Sequence, residues 1–460
     1  MNEPKENKMG TMPVGKLLVS MSLPMMASML VQALYNIVDS IFVAKLSENA
    51  LTAVSMAFPL QTLMIGFGVG TGVGVNAILS KALGEKNQKK ANAAAMNGVF
   101  LIFLTYVVFA IVGLTCVEPF YKSLTSDPEI IQYGVDYLSI VCVASFGMFA
   151  QFIFERILTS TGRTLYTMTT QATGAIINII LDPILIFGLL GAPKMGIKGA
   201  AVATVIGQIA AGIFAFYFNM KKNDDVQLSL KGYRPDKVLI SEIYKIGVPS
   251  IIMQCIGSVM NYCMNLILIG FTSTAVAVFG VYYKLQSFIF MPIFGLTGGL
   301  VPIAAYNFGA RKRDRLEKSW KLAWGYATII MTFGTLCFEL IPSLLFKMFS
   351  ASEEMLSIGV PALRIIGIHF PIAAFCIIVG SLFQSLGNSV YSMIASIMRQ
   401  LVVLLPAAYL LSMLGDVTYV WWSFPIAELM SAAASAYFYF RIKREVIEEI
   451  VENDTPESYD

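Results

Sequence analysis

Long apolar segments separated by short polar ones dominate this chain. A helix needs roughly 20 mainly apolar residues to cross the hydrocarbon core of a membrane, and twelve such segments can be placed along the sequence. We predict membrane-spanning helices at residues 17–43, 51–80, 91–116, 128–156, 165–190, 198–220, 239–269, 275–305, 318–343, 355–384, 389–414 and 418–441. The first span is too long for the apolar region of a signal peptide, so we expect it to stay in the mature protein.

Lysine and arginine are distributed unevenly between the polar segments. With the N-terminus in the cytoplasm, 24 of the 32 Lys and Arg residues lie on the cytoplasmic side and only 5 lie on the opposite side. Cytoplasmic loops of membrane proteins carry an excess of these residues. We therefore predict a multi-pass protein of the cell (cytoplasmic) membrane with both termini in the cytoplasm, as an even number of spans requires.

Composition agrees with this topology. The chain is 57% apolar and only 13% charged, whereas a soluble domain is roughly 25% charged. Such a composition excludes a soluble enzyme and a disordered protein, and the net charge of +3 is too small for a nucleic-acid-binding surface. All six cysteines lie in apolar stretches, where we expect them to pack as small hydrophobic side chains.

The two halves of the sequence repeat each other at one fixed offset, and we call two residues at this offset equivalent. Identities among proline, glycine and polar residues carry the repeat: Pro24 with Pro249, Asn36 with Asn261, Gln61 with Gln286, Gly84 with Gly309, Glu129 with Glu354, and Gly162 with Gly387. Each half holds an even number of spans, so both have the same topology, as in transporters built from parallel repeats. The predicted fold is an all-α integral membrane protein with twelve transmembrane helices in two parallel-repeat six-helix bundles around a central cavity.

Polar residues form a stripe on the first predicted helix. Gln32, Tyr35, Asn36 and Asp39 follow the spacing i, i+3, i+4 and i+7, which places them on one helix face. Ionisable residues inside a membrane are costly and indicate function by default. The stripe is therefore expected to face a cavity or another helix. Pro24 lies before it and lacks a helix hydrogen-bond donor, so we expect a helix bend there.

The fifth and sixth spans add residues of the same kind. Gln171, Asn178 and Asp182 share one face of the fifth span, and Thr204 lies in the sixth. Two carboxylates with an amide and hydroxyl groups suit a small cation, and they equally suit a proton. We predict that these side chains and Asp39 form a coupling site for H⁺ or Na⁺ in the N-terminal half.

This predicted site is confined to one half of the repeat. The residues equivalent to Asp39 and Asp182 are Met264 and Ala407. Symmetric packing would not need this asymmetry, whereas a single ion site would produce it. The predicted domains are thus an N-terminal half at 1–222 with the cation site, a cytoplasmic linker at 223–238, and a C-terminal half at 239–460 with a short cytoplasmic tail.

Other polar residues within the spans are expected to serve packing. Charged side chains expected to pair across helices are Lys284, Glu339, Arg364, Arg399 and Glu428. His369 is the single histidine, and we expect it to be a hydrogen-bonded core residue. Glu155 and Arg156 lie near a cytoplasmic end and are expected to extend towards the membrane surface.

The 25 methionines and 12% aromatic residues suit an adaptable apolar pocket. Residues expected to line a substrate cavity are Gln32, Asn36, Gln61, Met64, Met260 and Met291. Methionine also serves plain packing in membrane helices, so both interpretations of the methionines stay open. The glycines at 66–74 do not form a nucleotide-binding loop, so we expect an ion gradient, and not ATP, as the energy source.

Over about residues 12–445, the sequence resembles the multidrug and toxic compound extrusion (MATE) family. The resemblance rests on Leu23-Pro24, on Tyr35 through Asp39, and on Gly199 through Thr204. It implies a cation site made by Asp39, Asn178, Asp182 and Thr204 with Tyr35 and Tyr137, and a bend at Pro24. The pattern is similar to the MepA/DinF-like branch. It lacks the acidic residues that the NorM branch carries in its seventh and tenth helices.

The resemblance implies a cation-coupled (H⁺ or Na⁺) multidrug efflux antiporter. It would export apolar, often cationic drugs or toxic metabolites by alternating access, as a monomer in the lipid bilayer. It would have no cofactor, no catalytic residue, no ATP, no nucleic-acid partner and no metal beyond a Na⁺ at the coupling site. The alternative is a lipid-linked oligosaccharide flippase, whose cavity would need several Arg or Lys residues. An integral-membrane enzyme would need a nucleophile or metal cluster, which the sequence does not suggest.

Overall fold

The computed structural model describes residues 7–349 and 351–450, and most of these residues are helical. The helices of the first half are α1 (Lys8–Thr11), α2 (Val14–Ala44), α3 (Glu48–Met56), α4 (Phe58–Gly84), α5 (Gln88–Thr115), α6 (Val117–Leu124), α7 (Pro128–Val143), α8 (Phe146–Ser160), α9 (Thr164–Phe187) and α10 (Ile197–Lys222), with a 3₁₀ turn at Leu189–Gly191. The first six residues and the end of the predicted cytoplasmic tail lie outside the described residues.

The second half follows with a similar series. Its helices are α11 (Lys237–Ile269), α12 (Ser273–Gly309), α13 (Arg313–Leu340), α14 (Pro342–Lys347), α15 (Glu353–Gly367), α16 (Phe370–Ser385), α17 (Ser389–Ile397), α18 (Leu405–Ser412), α19 (Val417–Trp421) and α20 (Ser423–Ile442), with π-helical segments at Met398–Leu404 and Lys443–Ile447. Every one of the twelve predicted spans overlaps one or more of these helices.

Nine spans of the described residues are long and apolar enough to cross a membrane, and two bent helix pairs raise the number to eleven. The bent pairs are α7 with α8, at 44°, and α15 with α16, at 50°. The twelfth predicted span corresponds to α19 and α20, and α20 carries Glu428 and Arg441. Because the two bends occur in the fourth span of each half, they belong to the repeat.

Helix starts repeat at the same offset as the sequence. Ser47 caps α3 by accepting from the backbone N–H of Ala50, and the equivalent residue Thr272 caps α12 in the same way. Asp127 and Ser352 are a second pair of equivalent caps, at the starts of α7 and α15. Such caps satisfy backbone donors that a helix start leaves without partners. The two halves therefore begin these helices by the same local chemistry.

Unusual backbone conformations repeat as well. Gly162 and Gly387 have φ of 84° and 83°, a left-handed conformation that glycine adopts without steric cost. Lys86 and Arg311, which are also equivalent, have φ of 55° and 56°. Tight turns between the spans are thus built alike in both halves.

The chain forms two compact units, and each borrows the start of one helix from the other half of the sequence. One unit takes the chain up to Met26, the turn Gly84–Lys86, and the chain from Ile252 onwards. The other takes Ala27–Leu83 and Asn87–Ile251. The two exchange points follow Met26 and Ile251, which are again equivalent residues. Helices α2 and α11 therefore each contribute to both units, and the domain boundaries expected from the sequence stay a prediction.

Candidate cation site

Glycines bring α9 and α10 into backbone contact. A Cβ atom on Gly207 would lie 2.7 Å from the carbonyl oxygen of Gly174, and one on Gly174 would lie 2.9 Å from that of Gly207. Nearer the start of α10, a Cβ on Gly199 would lie 2.6 Å from the backbone of Leu185. Small residues allow membrane helices to approach this closely. This close packing holds polar residues of α9 against polar residues of α10.

Asn178 links the two helices. With its amide oriented so that Nδ2 faces Asp182, it donates to Asp182 Oδ2 at 3.2 Å. Its Oδ1 then accepts from the backbone N–H of Thr204 at 3.1 Å and from the Thr204 hydroxyl at 3.3 Å. We assign this orientation because the reverse one sets like groups against each other. The structure thus brings together the three residues that the sequence placed on α9 and α10.

Asp39 of α2 completes the arrangement. Its carboxyl group interacts directly with that of Asp182, which is fully buried. Within the described residues, Asp39 Oδ1 is buried without a hydrogen-bond partner. Two carboxylates in contact repel each other, and a shared proton or small cation removes this repulsion. The pair therefore has the chemistry of a site that binds positive charge.

Two tyrosines lie close to the carboxyl pair. Tyr35 interacts electrostatically with both Asp39 and Asp182. Tyr137 is 3% exposed, lies within electrostatic range of Asp39 and Tyr35, and accepts a hydrogen bond from Gln61 Nε2 at 3.3 Å. Gln61 therefore contacts a tyrosine beside the site, although the sequence indicated it for substrate contact.

A cavity of about 80 Å³ adjoins the site. Polar residues line much of it: Gln32, Tyr35, Gln151, Gln171, Asn178, Thr204 and Gln208. A small cavity with several amides beside two carboxyl groups offers room for a cation and oxygen atoms to hold it. No group of three or more His, Cys, Asp or Glu side chains within residues 7–349 and 351–450 is arranged to hold a metal ion.

The other expected site residues lie in different surroundings. Asn36 is exposed, whereas Met64 is buried and contacts Cys142 with a sulfur–sulfur distance of 3.6 Å. Met260 is 9% exposed and lies, with Met291, in the unit that contains the second half. Pro24 lies inside α2, which runs as one helix through it. The roles of these residues in a bend and a substrate cavity stay predictions.

Glu155 does not extend to the membrane surface as the sequence suggested. It is 4% exposed and accepts hydrogen bonds from Gln151, Thr170 and Gln171, at 2.8–3.0 Å. Three donors compensate a carboxylate for the loss of water. The spacing of four residues between Gln151 and Glu155 was the available signal, and Gln151 also lines the small cavity.

A family model supports a common origin for the two halves. The model described as MatE matches residues 24–184 and again residues 249–410, which together make up more than half of the chain. The two matches begin at equivalent residues, so the repeat inferred from scattered identities is recovered independently. Each match starts at a proline that the repeat pairs, Pro24 or Pro249.

Curated relatives and solved structures match almost the whole chain. The Multidrug export protein MepA of Staphylococcus haemolyticus is 26% identical over 429 residues, covering 93% of this chain and 94% of that protein. A protein of the same name from Staphylococcus aureus is 27% identical over 439 residues, covering 94% of each. A solved structure described as the outward-facing conformation of a multidrug resistance MATE family transporter has a TM-score of 0.90 at 24% identity, covering 98% of this chain and all of that one.

The structural likeness confirms the predicted fold class. A second solved structure with a TM-score of 0.90, described as a MOP superfamily transporter from Pyrococcus furiosus, likewise covers 98% of this chain. The chain has the all-α membrane fold of twelve helices in two parallel six-helix repeats that these transporters have.

Proposed function

Because the chain belongs to the MatE family, which makes it a multi-pass membrane transporter, we propose that it exports small apolar, often cationic molecules in exchange for H⁺ or Na⁺. The names of its relatives support the substrate class, since they are multidrug exporters. The observation that carries the coupling proposal is the contact between the carboxyl groups of Asp39 and Asp182, held in place through Asn178 and Thr204.

In this mechanism the cation binds between the two carboxyl groups. When it is absent, their mutual repulsion favours a separated arrangement of α2 and α9. When it is present, α2 packs against α9. A ligand can shift a conformational equilibrium only by its difference in affinity for the two states. Contact between Asp39 and Asp182 supplies that difference, because it is favourable only with the cation bound.

A membrane potential provides enough energy for the exchange. One positive charge that crosses 100 mV gains about 2.3 kcal/mol, which corresponds to a roughly fiftyfold concentration gradient. We therefore propose transport without ATP and without catalysis. We further propose that the protein lies in the cell membrane as a monomer, with both termini in the cytoplasm, because Lys and Arg are concentrated on that side of the predicted topology.

The experiment uses the full-length protein in liposomes with separately imposed H⁺ and Na⁺ gradients and ethidium as the substrate. We expect one gradient to drive ethidium movement, and we expect Asp39→Asn and Asp182→Asn each to abolish it. Movement driven by H⁺ in sodium-free buffer would identify the proton, and movement driven only by Na⁺ would identify sodium.

The matched control is Asp136→Asn. Asp136 is an aspartate of the same half, but it pairs with the half-exposed Lys198 at 3.4 Å, and such surface pairs contribute little. This variant should transport normally. Undiminished gradient-driven transport in Asp39→Asn, with the protein folded, would refute the coupling proposal. If no gradient moves any lipophilic cation, a lipid substrate becomes the better interpretation.

A further inference from the structure

A second cluster of buried ionisable residues lies in the unit that does not contain the candidate cation site. Glu428 of α20 is 2% exposed, and His369 lies at the bend between α15 and α16 with 4% exposure. Arg399 lies in the π-helical segment Met398–Leu404. Segments of π-helix occur frequently at functional sites. Three different spans thus meet at this cluster, in the half that lacks the Asp39–Asp182 pair.

One carboxylate oxygen holds the cluster together. Glu428 Oε2 accepts from Arg399 Nη1 at 3.3 Å and lies 3.6 Å from His369 Nδ1. The imidazole ring stacks on Phe424 with ring centroids 6.3 Å apart, and the edge of Phe370 packs at 5.1 Å. Two aromatic rings therefore pack on the imidazole beside the carboxylate.

Several polar atoms in this cluster have no hydrogen-bond partner within the described residues. They are His369 Nδ1 and Nε2, Glu428 Oε1 and the hydroxyl of Tyr282. Buried polar atoms normally have partners, and each one without a partner costs free energy. His369 is a buried core residue, as the sequence suggested, but its two ring nitrogens have no hydrogen-bond partner within the described residues. A group that is buried, titratable and unpaired has a free position for a proton.

Groups that face His369 and Glu428 come from each of the spans that pack around them. Tyr282 approaches from α12, Cys376 from α16 and Arg399 from the π-helical segment. Helix α13 contributes the ring of Phe338, which packs against both Tyr282 and Phe370. The balance of fixed charge is one guanidinium and one carboxylate, so a neutral imidazole leaves the cluster without net charge.

The repeat shows that this cluster is not part of the shared scaffold. The residues equivalent to three of its polar members are alanine or glycine: Ala57 for Tyr282, Ala144 for His369 and Gly174 for Arg399. Three larger polar side chains in one half thus correspond to small residues at the same positions of the other. Packing alone, which both halves solve with the same helices, does not need this substitution.

The charges of Arg399 and Glu428 determine which kind of ligand this cluster can bind. A metal cation needs several oxygen ligands, but the one carboxylate is already shared with a guanidinium, which would repel the metal. An anion would have to bind beside the buried Glu428. A proton needs only one free position on nitrogen or oxygen, and the carboxylate next to the imidazole stabilises the resulting positive charge, against the opposing effects of burial and of the Arg399 guanidinium.

We propose that His369 and Glu428 together form a second proton-binding site of this transporter, positioned by Arg399. One proton binds to the imidazole, and the Nδ1–H then donates to Glu428 Oε2. This site does not depend on the proposed antiport, since it lies in the other unit and its occupancy can be measured without transport.

The single histidine makes this proposal directly testable. Full-length protein with isotope-labelled histidine, purified through a histidine-free tag, gives one imidazole signal by nuclear magnetic resonance. We expect this signal to move with pH while the protein stays folded. In Glu428→Gln the midpoint of this titration should fall by about one pH unit or more, because the imidazolium loses a counter-charge within about 4 Å.

Asp39→Asn is the control, because it removes the other site and should leave the histidine titration unchanged. A wild-type signal that stays at one position throughout the range of folded protein would overturn the proposal. So would an identical titration in Glu428→Gln. If Glu428→Gln fails to fold, the wild-type titration alone remains decisive. A wild-type protein that shows the histidine titration but no gradient-driven transport would count only against the proposed function.

Discussion

Gly174 and Arg399 occupy equivalent positions in the two halves of the repeat, yet their surroundings are organised in opposite ways. At Gly174 the backbones of α9 and α10 touch, and short side chains from both helices meet around Asp182. At Arg399 the helix widens into a π-helical segment, and the long side chain reaches Glu428 of α20 at 3.3 Å. The close packing at Gly174 excludes a large side chain, whereas the large side chain of Arg399 forms the central contact of its cluster.

This difference explains why the two sites differ in chemistry. The N-terminal site places two carboxyl groups in contact, and an added positive charge would stabilise this arrangement. The C-terminal cluster already contains its own positive charge in Arg399, and the ligand proposed for it is a proton. A duplicated scaffold has thus kept its caps and turns while placing ionisable residues at non-equivalent positions.

The largest expected effect separates the two sites by transport. Asp182→Asn should reduce gradient-driven transport to the level of protein-free liposomes. With one carboxylate removed, the contact between α2 and α9 no longer depends on whether the cation is bound. Glu428→Gln should keep gradient-driven transport but displace its pH profile. Flux measurements at several pH values check both variants. Complete loss in both would show that the halves share one coupling function, and would break the comparison.

A second prediction concerns the free energy of unfolding. Arg399→Met leaves Glu428 buried without its guanidinium partner. Breaking a buried pair in this way costs about 3–5 kcal/mol, and the 26% exposure of Arg399 lowers the expected loss to about 2–3 kcal/mol. Adding Glu428→Gln should recover most of it. Thermal unfolding in detergent measures both, and an Arg399→Met protein as stable as wild type would contradict the ion-pair interpretation.

A third prediction sharpens the role of close packing. Gly207→Ala places a methyl group 2.7 Å from a backbone oxygen, so α9 and α10 must separate, at a cost of about 1–3 kcal/mol. Transport should fall as Thr204 moves away from Asn178. Gly280→Ala is the matched control, since its Cβ meets nothing within 4 Å. Equal behaviour of the two variants would remove close packing from the explanation.

The smallest expected effect lies outside both sites, in the segment between α10 and α11. Burial and the nearby Asp236 raise the pKa of Tyr233, whose hydroxyl donates to Asn97 Oδ1 at 3.1 Å. This contribution to stability is present below the unfolded pKa of about 10 and is lost as pH rises above it.

Tyr233→Phe should therefore lower the free energy of unfolding by about 0.5–1 kcal/mol at neutral pH and make it less sensitive to alkaline pH. Unfolding curves at neutral and alkaline pH measure both effects. Neither the histidine titration nor the coupling ion should change. Tyr217→Phe, at an exposed position, should have no effect on stability, and an equal loss there would rule out the Asn97 contact as the cause.

Much of the fold could be predicted from the sequence, because membrane spans have a strong apolar signal. The repeat adds a check, since both halves must contain the same number of spans. The bend in the fourth span could not. The fourth span bends at Ala144 and Ser145, where the sequence contains neither proline nor glycine. The short helices α6 and α14 were also missed, since their few residues carry no long apolar pattern.

The residues of the candidate site were predictable because helical spacing places Asp39 and Tyr35, and Asn178 and Asp182, on common faces. Which faces meet depends on contacts between distant segments, such as Gly174 with Gly207. The same limit explains the incomplete prediction of charge pairs. Of the five charges expected to pair, Arg399 and Glu428 do so, whereas Lys284 and Arg364 are exposed.

The exchange of helix starts after Met26 and Ile251 has a consequence for dividing the molecule. A chain cut between α10 and α11 would yield two fragments, and neither would contain a complete unit, because each would carry a helix start that belongs to the other. Neither fragment is expected to fold alone, but the two produced together could restore both units. A six-helix ancestor with this arrangement would have had to work as a pair of identical chains that exchanged the starts of their first long helices.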